Sequence, residues 1–190
     1  MVATRIHSVI EGKRIFLRRP EKGDEVEYLA LNLQSTAFHR GLASPPTRPE
    51  QFAAFLERCS NDASACFFIC RRTDAAIVGY ISLSQIYRGG FQSAYLGYHV
   101  GADFARQGYM TEALALRLRY AVAHLKLHRI EANIQPGNVA SLALVKRAGF
   151  VKEGFSRRYL KIGGRWRDHE RWTILAEDWA TKRPKKGTTN

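Results

Sequence analysis

The sequence predicts one α+β domain, a mostly antiparallel sheet that holds a single parallel strand pair and carries helices on both faces. Three observations lead there. The 190 residues suit about one domain of ~150 residues. Strand-like and helix-like segments run in the order β-α-α-β-β-β-α-β-α-β-β, without regular alternation. The strand–helix–strand unit around 92–135 needs a crossover that makes its strands parallel, whereas short turns elsewhere make neighbours antiparallel.

Each element has its own signal. Residues 12–19 read as a first strand, stopped by Pro20. Asp24 with Glu27 predicts a capping box, opening a helix with Val26, Leu29, Ala30 and Leu33 on its inner face. After the stiff Ser44-Pro45-Pro46 loop, Thr47 with Glu50 predicts a second capping box and a helix burying Phe52, Phe55, Leu56 and Cys59. Strands follow at about 65–71, 76–86 and 92–100, joined by turns at Arg72-Thr73-Asp74 and Arg88-Gly89-Gly90. Leu114, Leu118, Ala121, Val122 and Leu125 recur at helical spacing, giving an amphipathic helix over 110–126. Arg129 to Gln135 is a strand, and Asn138 to Ala148 a helix ended by Gly149. Two last strands, 153–162 and 165–176, flank a Gly163-Gly164 hairpin turn. The domain is thus expected over 12–180, after an N-terminal extension (1–11) and before a basic, disordered tail (181–190) containing Lys182-Arg183-Pro184-Lys185-Lys186.

Composition narrows the class. Hydrophobic residues make up 45% and charged residues 25%, which excludes a disordered or collagen-like chain. No apolar run approaches the ~18 residues of a membrane span, and the first twenty residues lack a secretory apolar region. A cytoplasmic protein without membrane partners is expected, with Cys59, Cys66 and Cys70 as reduced core thiols. His124 and His128 have no metal-like company, so no metal is expected. Thirty Lys and Arg against 17 Asp and Glu leave +13, enough to attract nucleic acid, a phosphorylated cofactor or a ribonucleoprotein particle.

The chemistry concentrates after the strand Tyr95-Leu96-Gly97-Tyr98-His99-Val100, in the turn Ala105-Arg106-Gln107-Gly108-Tyr109-Met110-Thr111. Amides at a helix start have no intrahelical partner, and with the helix dipole they make an anion site. Gly108 lets a ligand approach the main chain, Arg106 adds a cation and Thr111 a hydroxyl. An ordinary strand–helix turn has the same ingredients. No Walker or Rossmann fingerprint is present, so neither a nucleoside triphosphate nor a dinucleotide is indicated.

The turn and the element order resemble the GNAT (Gcn5-related N-acetyltransferase) superfamily, whose acyl-CoA signature is Gln/Arg-x-x-Gly-x-Gly/Ala. Gly108 matches, while Ala105 and Met110 depart at the first and last positions. Residues Arg129-Ile130-Glu131-Ala132-Asn133-Ile134-Gln135-Pro136-Gly137-Asn138-Val139-Ala140-Ser141, with Arg147-Ala148-Gly149-Phe150 and Glu153-Gly154, resemble the RimJ/RimL branch more specifically. Tyr95-Leu96-Gly97-Tyr98 and Gly164-Arg165-Trp166-Arg167-Asp168-His169 are similar to its RimJ, ribosomal-protein-alanine acetyltransferase, type. The resemblance covers about 12–179. It implies the GNAT acyl-CoA N-acyltransferase fold, in which the parallel strands (here 92–100 and 129–135) splay and take the pantetheine arm of acetyl-CoA between them. On that basis Tyr98, His99 and Val100 would offer a strand edge, and Arg106, Gln107, Gly108, Tyr109, Met110 and Thr111 would hold the pyrophosphate. Asn138 would cap its helix, bond the pantetheine, or both. The family places Ser141 near the thioester sulfur as a general acid, although a helix serine also serves simply as a polar residue of the first turn.

The base stays open. Many relatives carry a glutamate where Tyr95 stands here; Glu131 or His99 could take the proton, directly or through water. The resemblance implies acetyl transfer by direct attack to the α-amino group of a protein N-terminus, in a ribosomal protein starting with Ala or Ser. Loop 34–48 and hairpin 153–172 would bind it, with Tyr159, Trp166 and Asp168 forming a groove, and the positive surface would touch rRNA. The protein would work as a monomer or homodimer. The alternatives are an acetyltransferase of a small amine (polyamine, amino sugar or antibiotic), which the arginines near the hairpin disfavour, and a basic RNA-binding module.

Overall fold

The computed structural model describes residues 9–181; residues 1–8 and the expected basic tail from Lys182 onward lie outside them. The described chain forms β1 (Val9–Glu11), β2 (Ile15–Arg18), α1 (Glu25–Gln34), α2 (Thr36–His39), α3 (Pro49–Ser60), β3 (Ala65–Arg71), β4 (Ile77–Tyr87) and β5 (Ser93–Val100). Then follow α4 (Tyr109–Ala123), β6 (Arg129–Ile134), α5 (Val139–Ala148), β7 (Val151–Ile162), β8 (Arg165–Leu175) and α6 (Ala176–Thr181). One eight-stranded sheet runs β1-β2-β3-β4-β5-β6-β8-β7. Of its pairings, β5–β6 is parallel and the others antiparallel. The mixed α+β architecture is the one the sequence predicts.

Both faces of the sheet are covered, so β3 is buried from Ala65 to Cys70. On one face α4 and α5 pack through Leu114, Leu118, Leu144 and Val145 against Phe67, Ile81 and Leu96. On the other, α1 and α3 pack through Tyr28, Leu31, Phe52 and Phe55 against Phe68. A neighbour on each face lets a strand be apolar throughout, without two-residue alternation.

Three local expectations change. The capping box lies one turn early: Asp24 accepts from the Glu21 amide at 2.7 Å and closes a 3₁₀ turn over Lys22–Asp24. Glu27 instead accepts from the Ile77 amide at 2.6 Å, tying α1 to β4. The rotated helix buries Tyr28, Leu29, Leu31 and Asn32, and leaves Val26 81% and Leu33 56% exposed. At α3 the Thr47 amide donates to Gln51, not Glu50, and Pro49 occupies the first turn. The short helices α2 and α6 had no sequence signal.

Candidate active site

The parallel pair β5–β6 holds together over three residues only: Ser93 with Arg129, Ala94 with Ile130, Tyr95 with Glu131. Beyond Tyr95 the strands part. Leu96 to Val100 ladder with β4 alone, and Ala132 to Ile134 with β8 alone. Facing edges in the gap therefore keep main-chain donors and acceptors that a third extended chain could take up.

A cavity of about 570 Å³ occupies this wedge, lined from β5 by Tyr95 to His99 and from β6 by Ala132 to Ile134, with Asn138 and Ser141 of α5 at one wall. Two buried polar atoms of lining residues, the Tyr98 hydroxyl and Asn133 Oδ1, have no hydrogen-bond partner in the protein. Such atoms are costly unless a ligand or water completes them. Burial pushes the Tyr98 phenol up to about 12; Ser141 is near enough to draw it down, yet no hydrogen bond of ordinary geometry reaches it. Asn138 caps α5, its Oδ1 accepting from the Ser141 amide at 3.2 Å, which leaves its NH₂ for another acceptor.

The wedge leads to the start of α4. Gly108 caps that helix at φ +84°, in the left-handed region that glycine adopts without strain. The first intrahelical bond is the Glu112 amide to the Gly108 carbonyl at 3.1 Å, so the amides of Tyr109, Met110 and Thr111 stand before it, at the positive end of the helix. The Tyr109 and Met110 side chains turn into the core; only their amides can serve an anion. Gln107 spends its side chain on the Asp103 carbonyl at 2.6 Å, closing the turn, and Arg106 is exposed beside it.

Arg14, at the start of β2, was not foreseen. Its guanidinium donates to the Gln107 carbonyl at 2.8 Å and lies 4.7 Å from the centre of the Tyr109 ring. Its amide donates to Glu112 at 2.9 Å. It thus brings a second cation to the helix start from 94 residues earlier in the chain, and no local sequence pattern announces that approach.

The remaining predicted residues divide. His99 lies against the α1 face, its Nε2 3.2 Å from the Tyr28 hydroxyl and its ring 5.3 Å from that of His39. Burial, with His39 alongside, pushes His99 down to about 3, which makes it a poor proton acceptor. Glu131 pairs with Arg129 at 2.8 Å, and that arginine also binds Glu153 and Thr173. Tyr159 lines the cavity and packs edge-on to His169. Asp168 does not line it: its Oδ1 accepts from the Arg158 amide at 2.7 Å, where β7 bulges. Trp166 also stands apart, 60% exposed near the hairpin tip. The loop of Leu42 to Pro46 also lines the cavity, held by Gln135 donating to the Gly41 carbonyl at 2.7 Å.

Comparison with known proteins agrees with this architecture. The family profile described as Acetyltransferase (GNAT) domain matches residues 14–151. The Bacillus subtilis (strain 168) protein named "Probable N-acetyltransferase YjcK" is 35% identical over 178 residues, which are 90% of this chain and 98% of that one. The "[Ribosomal protein uS5]-alanine N-acetyltransferase" of Escherichia coli (strain K12) is 41% identical over 107 residues, covering 56% of this chain and 55% of that protein. Among solved structures, Mycobacterium smegmatis RimJ in complex with CoA-disulfide superposes with a TM-score of 0.79 at 28% identity, over 89% of this chain and 85% of that one. The wedge, the amide-lined helix start and this match together make the chain a member of the GNAT family, an N-acetyltransferase.

Proposed function

We propose that this enzyme moves acetyl from acetyl-CoA to the α-amino group of a protein N-terminus, in a ribosomal protein starting with Ala or Ser. The observation that carries the reading is the parted pair β5–β6 with its orphaned Tyr98 and Asn133 atoms, which suits an extended arm rich in amides. Arg14, Arg106 and the amides of residues 109–111 would hold its phosphates. Bound acetyl-CoA would supply an acetyl thioester. The Ser141 hydroxyl and the N-terminus of α5 would then stabilise negative charge developing on the sulfur. Loop 42–46 and Tyr159 would receive the acceptor on the α1–α3 side.

The relation to an alanine N-acetyltransferase, over about half of that protein, favours a protein terminus as acceptor. The net charge of +13 suits contact with an rRNA-rich particle in the cytoplasm. The test is mass spectrometry of a peptide library varied at its first residue, incubated with acetyl-CoA. Peptides opening with Ala and Ser are expected to gain one acetyl at the α-nitrogen. Acetylation confined to lysine side chains, or to spermidine and other small amines added to the mixture, would replace this reading with that of a small-amine enzyme.

A further inference from the structure

We infer that this site takes its acceptor as the already neutral amine, with no protein side chain acting as base, so that the acceptor's own acidity selects α-amino termini against lysines and polyamines. The inference rests on the N-terminal acetylation proposed above and adds how that class of amine is chosen.

The cavity wall carries it. Among the described residues lining the wedge, none is Asp or Glu. From α1 and α3 come the Tyr28 phenol, the Cys59 thiol and the Arg58 cation; from β4 comes Tyr80. The strands β5, β7 and β8 add Tyr95, Tyr98, His99, Tyr159 and His169. The carboxylate next to the wedge, Glu131, is held by Arg129 at 2.8 Å. An ammonium entering here loses water and meets no counter-charge, with one fixed cation on the wall; desolvating an unpaired charge costs several kcal/mol. A neutral amine meets phenols, amides and hydroxyls that hydrogen-bond it without that penalty.

The candidate bases are likewise unsuited. Tyr95 stands between Glu131 across the parallel pair and Ser84 on β4. Burial and its neighbour Tyr159 push its phenol up to about 12, so it stays protonated near neutral pH and supplies no phenolate base there. Burial lowers the proton affinity of both rings of the His39–His99 pair, and His39, which donates Nε2–H to the Val100 carbonyl at 3.0 Å, does not line the wedge. His169 donates Nδ1–H to the Arg167 carbonyl at 3.0 Å, and burial lowers the affinity of its other ring nitrogen for a proton.

Neutral-amine capture is also sufficient for selection. At pH 7 an α-amino group of pKa about 7.8 is roughly one-seventh neutral, whereas an ammonium of pKa about 10.4 is neutral in about 0.04% of molecules. The ratio, a few hundredfold, comes without any contact that recognises the chain behind the nitrogen. The amine and the acetyl thioester give the acetamide and the free thiol: a C–N bond forms, the C–S bond breaks, nitrogen loses one proton to water and sulfur gains one.

The experiment varies the acceptor and leaves the enzyme unaltered. With acetyl-CoA saturating, kcat/KM is measured against pH for two peptides of the same sequence, one opening with alanine and one with β-alanine, whose amine is more basic. The expected acid limb follows the acceptor, its midpoint moving up with the amine pKa titrated for each free peptide. A midpoint common to both peptides would belong to an enzyme group and would overturn the inference while leaving N-terminal acetylation intact. Failure of both peptides beside turnover of spermidine would instead remove the functional reading on which it rests. A second measurement uses Ser84→Glu, which sets a carboxylate on the cavity wall. Its preference for a lysine-bearing acceptor over the alanine peptide is expected to rise at least tenfold, and an unchanged preference would contradict selection by charge.

Discussion

Asn138 and Ser141 illustrate how two roles on one helix turn are separated. Asn138 bonds the Ser141 amide, so Asn138→Ala removes a cap, for a loss of about 0.5–2 kcal/mol and a melting temperature lower by roughly 2–4 °C per kcal/mol in a chain of this size. Ser141→Ala keeps the amide and its cap bond and deletes only the hydroxyl beside Tyr98. It is expected to melt within about a degree of wild type and to turn over ~10²-fold or more slowly, as when a positioned acid is lost. Thermal melting and steady-state rates on the same samples distinguish the two, and a wild-type rate would reduce Ser141 to a polar helix residue. The Asn138 cap was legible because a cap and the residue three positions on lie within one turn, whereas Ser141 was singled out by the family resemblance alone. Arg14 and the bonds of Arg129 to Glu153 and Thr173 were not legible, since each depends on which distant strand lies alongside.

Among the elements, the wedge depends on how β5 leaves β6 while staying on β4. Gly79 of β4 faces Val100 of β5, and a Cβ there would lie 2.5 Å from the His99 carbonyl oxygen and 3.0 Å from the Val100 Cα. Both are backbone atoms, so relief requires β5 to move. Gly79→Ala is expected to cost about 1–3 kcal/mol, as overpacking does, and, if the proposed cofactor site is right, to weaken acetyl-CoA binding more than it raises the KM for the acceptor, because the displaced segment would be the edge that takes the cofactor. Calorimetry with CoA beside a urea titration tests this; unaltered CoA affinity in a folded variant would mean that this half of β5 does not hold the cofactor. The sequence places β5 and β6 within a residue and the crossover helix within three, since their apolar runs and turns are local. Where the parallel ladder stops is set instead by the twist of the whole sheet and by what packs on either face, and that came from resemblance alone. For α1 the same limit showed differently. Its inner face turned on whether Asp24 opened the α-helix or closed the turn before it, and the contacts of Tyr28 and Asn32 with residues far along the chain decided the matter.

At the scale of the whole molecule, burying imidazoles makes the fold sensitive to mild acid. His99 is held at about 3 by burial and by His39, while His39 and His169 are also lowered, chiefly by burial. In the unfolded chain a histidine titrates near ~6.5. Between those values the unfolded state takes up a proton that folded His99 refuses, so its contribution is complete above about pH 6.5 and falls as pH drops, by up to about 1.4 kcal/mol per pH unit for each such group. The loss levels off once pH passes below the folded value. Carboxylates titrate mainly below about 5, so stability from urea unfolding between pH 6.5 and 5 isolates the histidines. The wild-type protein is expected to lose stability steadily across that interval, and His99→Gln, which keeps a hydrogen-bonding group opposite Tyr28, to lose it less steeply by about one proton's worth. Parallel slopes for the two proteins would mean that folded His99 takes a proton as readily as the open chain does, and that water reaches deeper into the wedge than its buried walls imply.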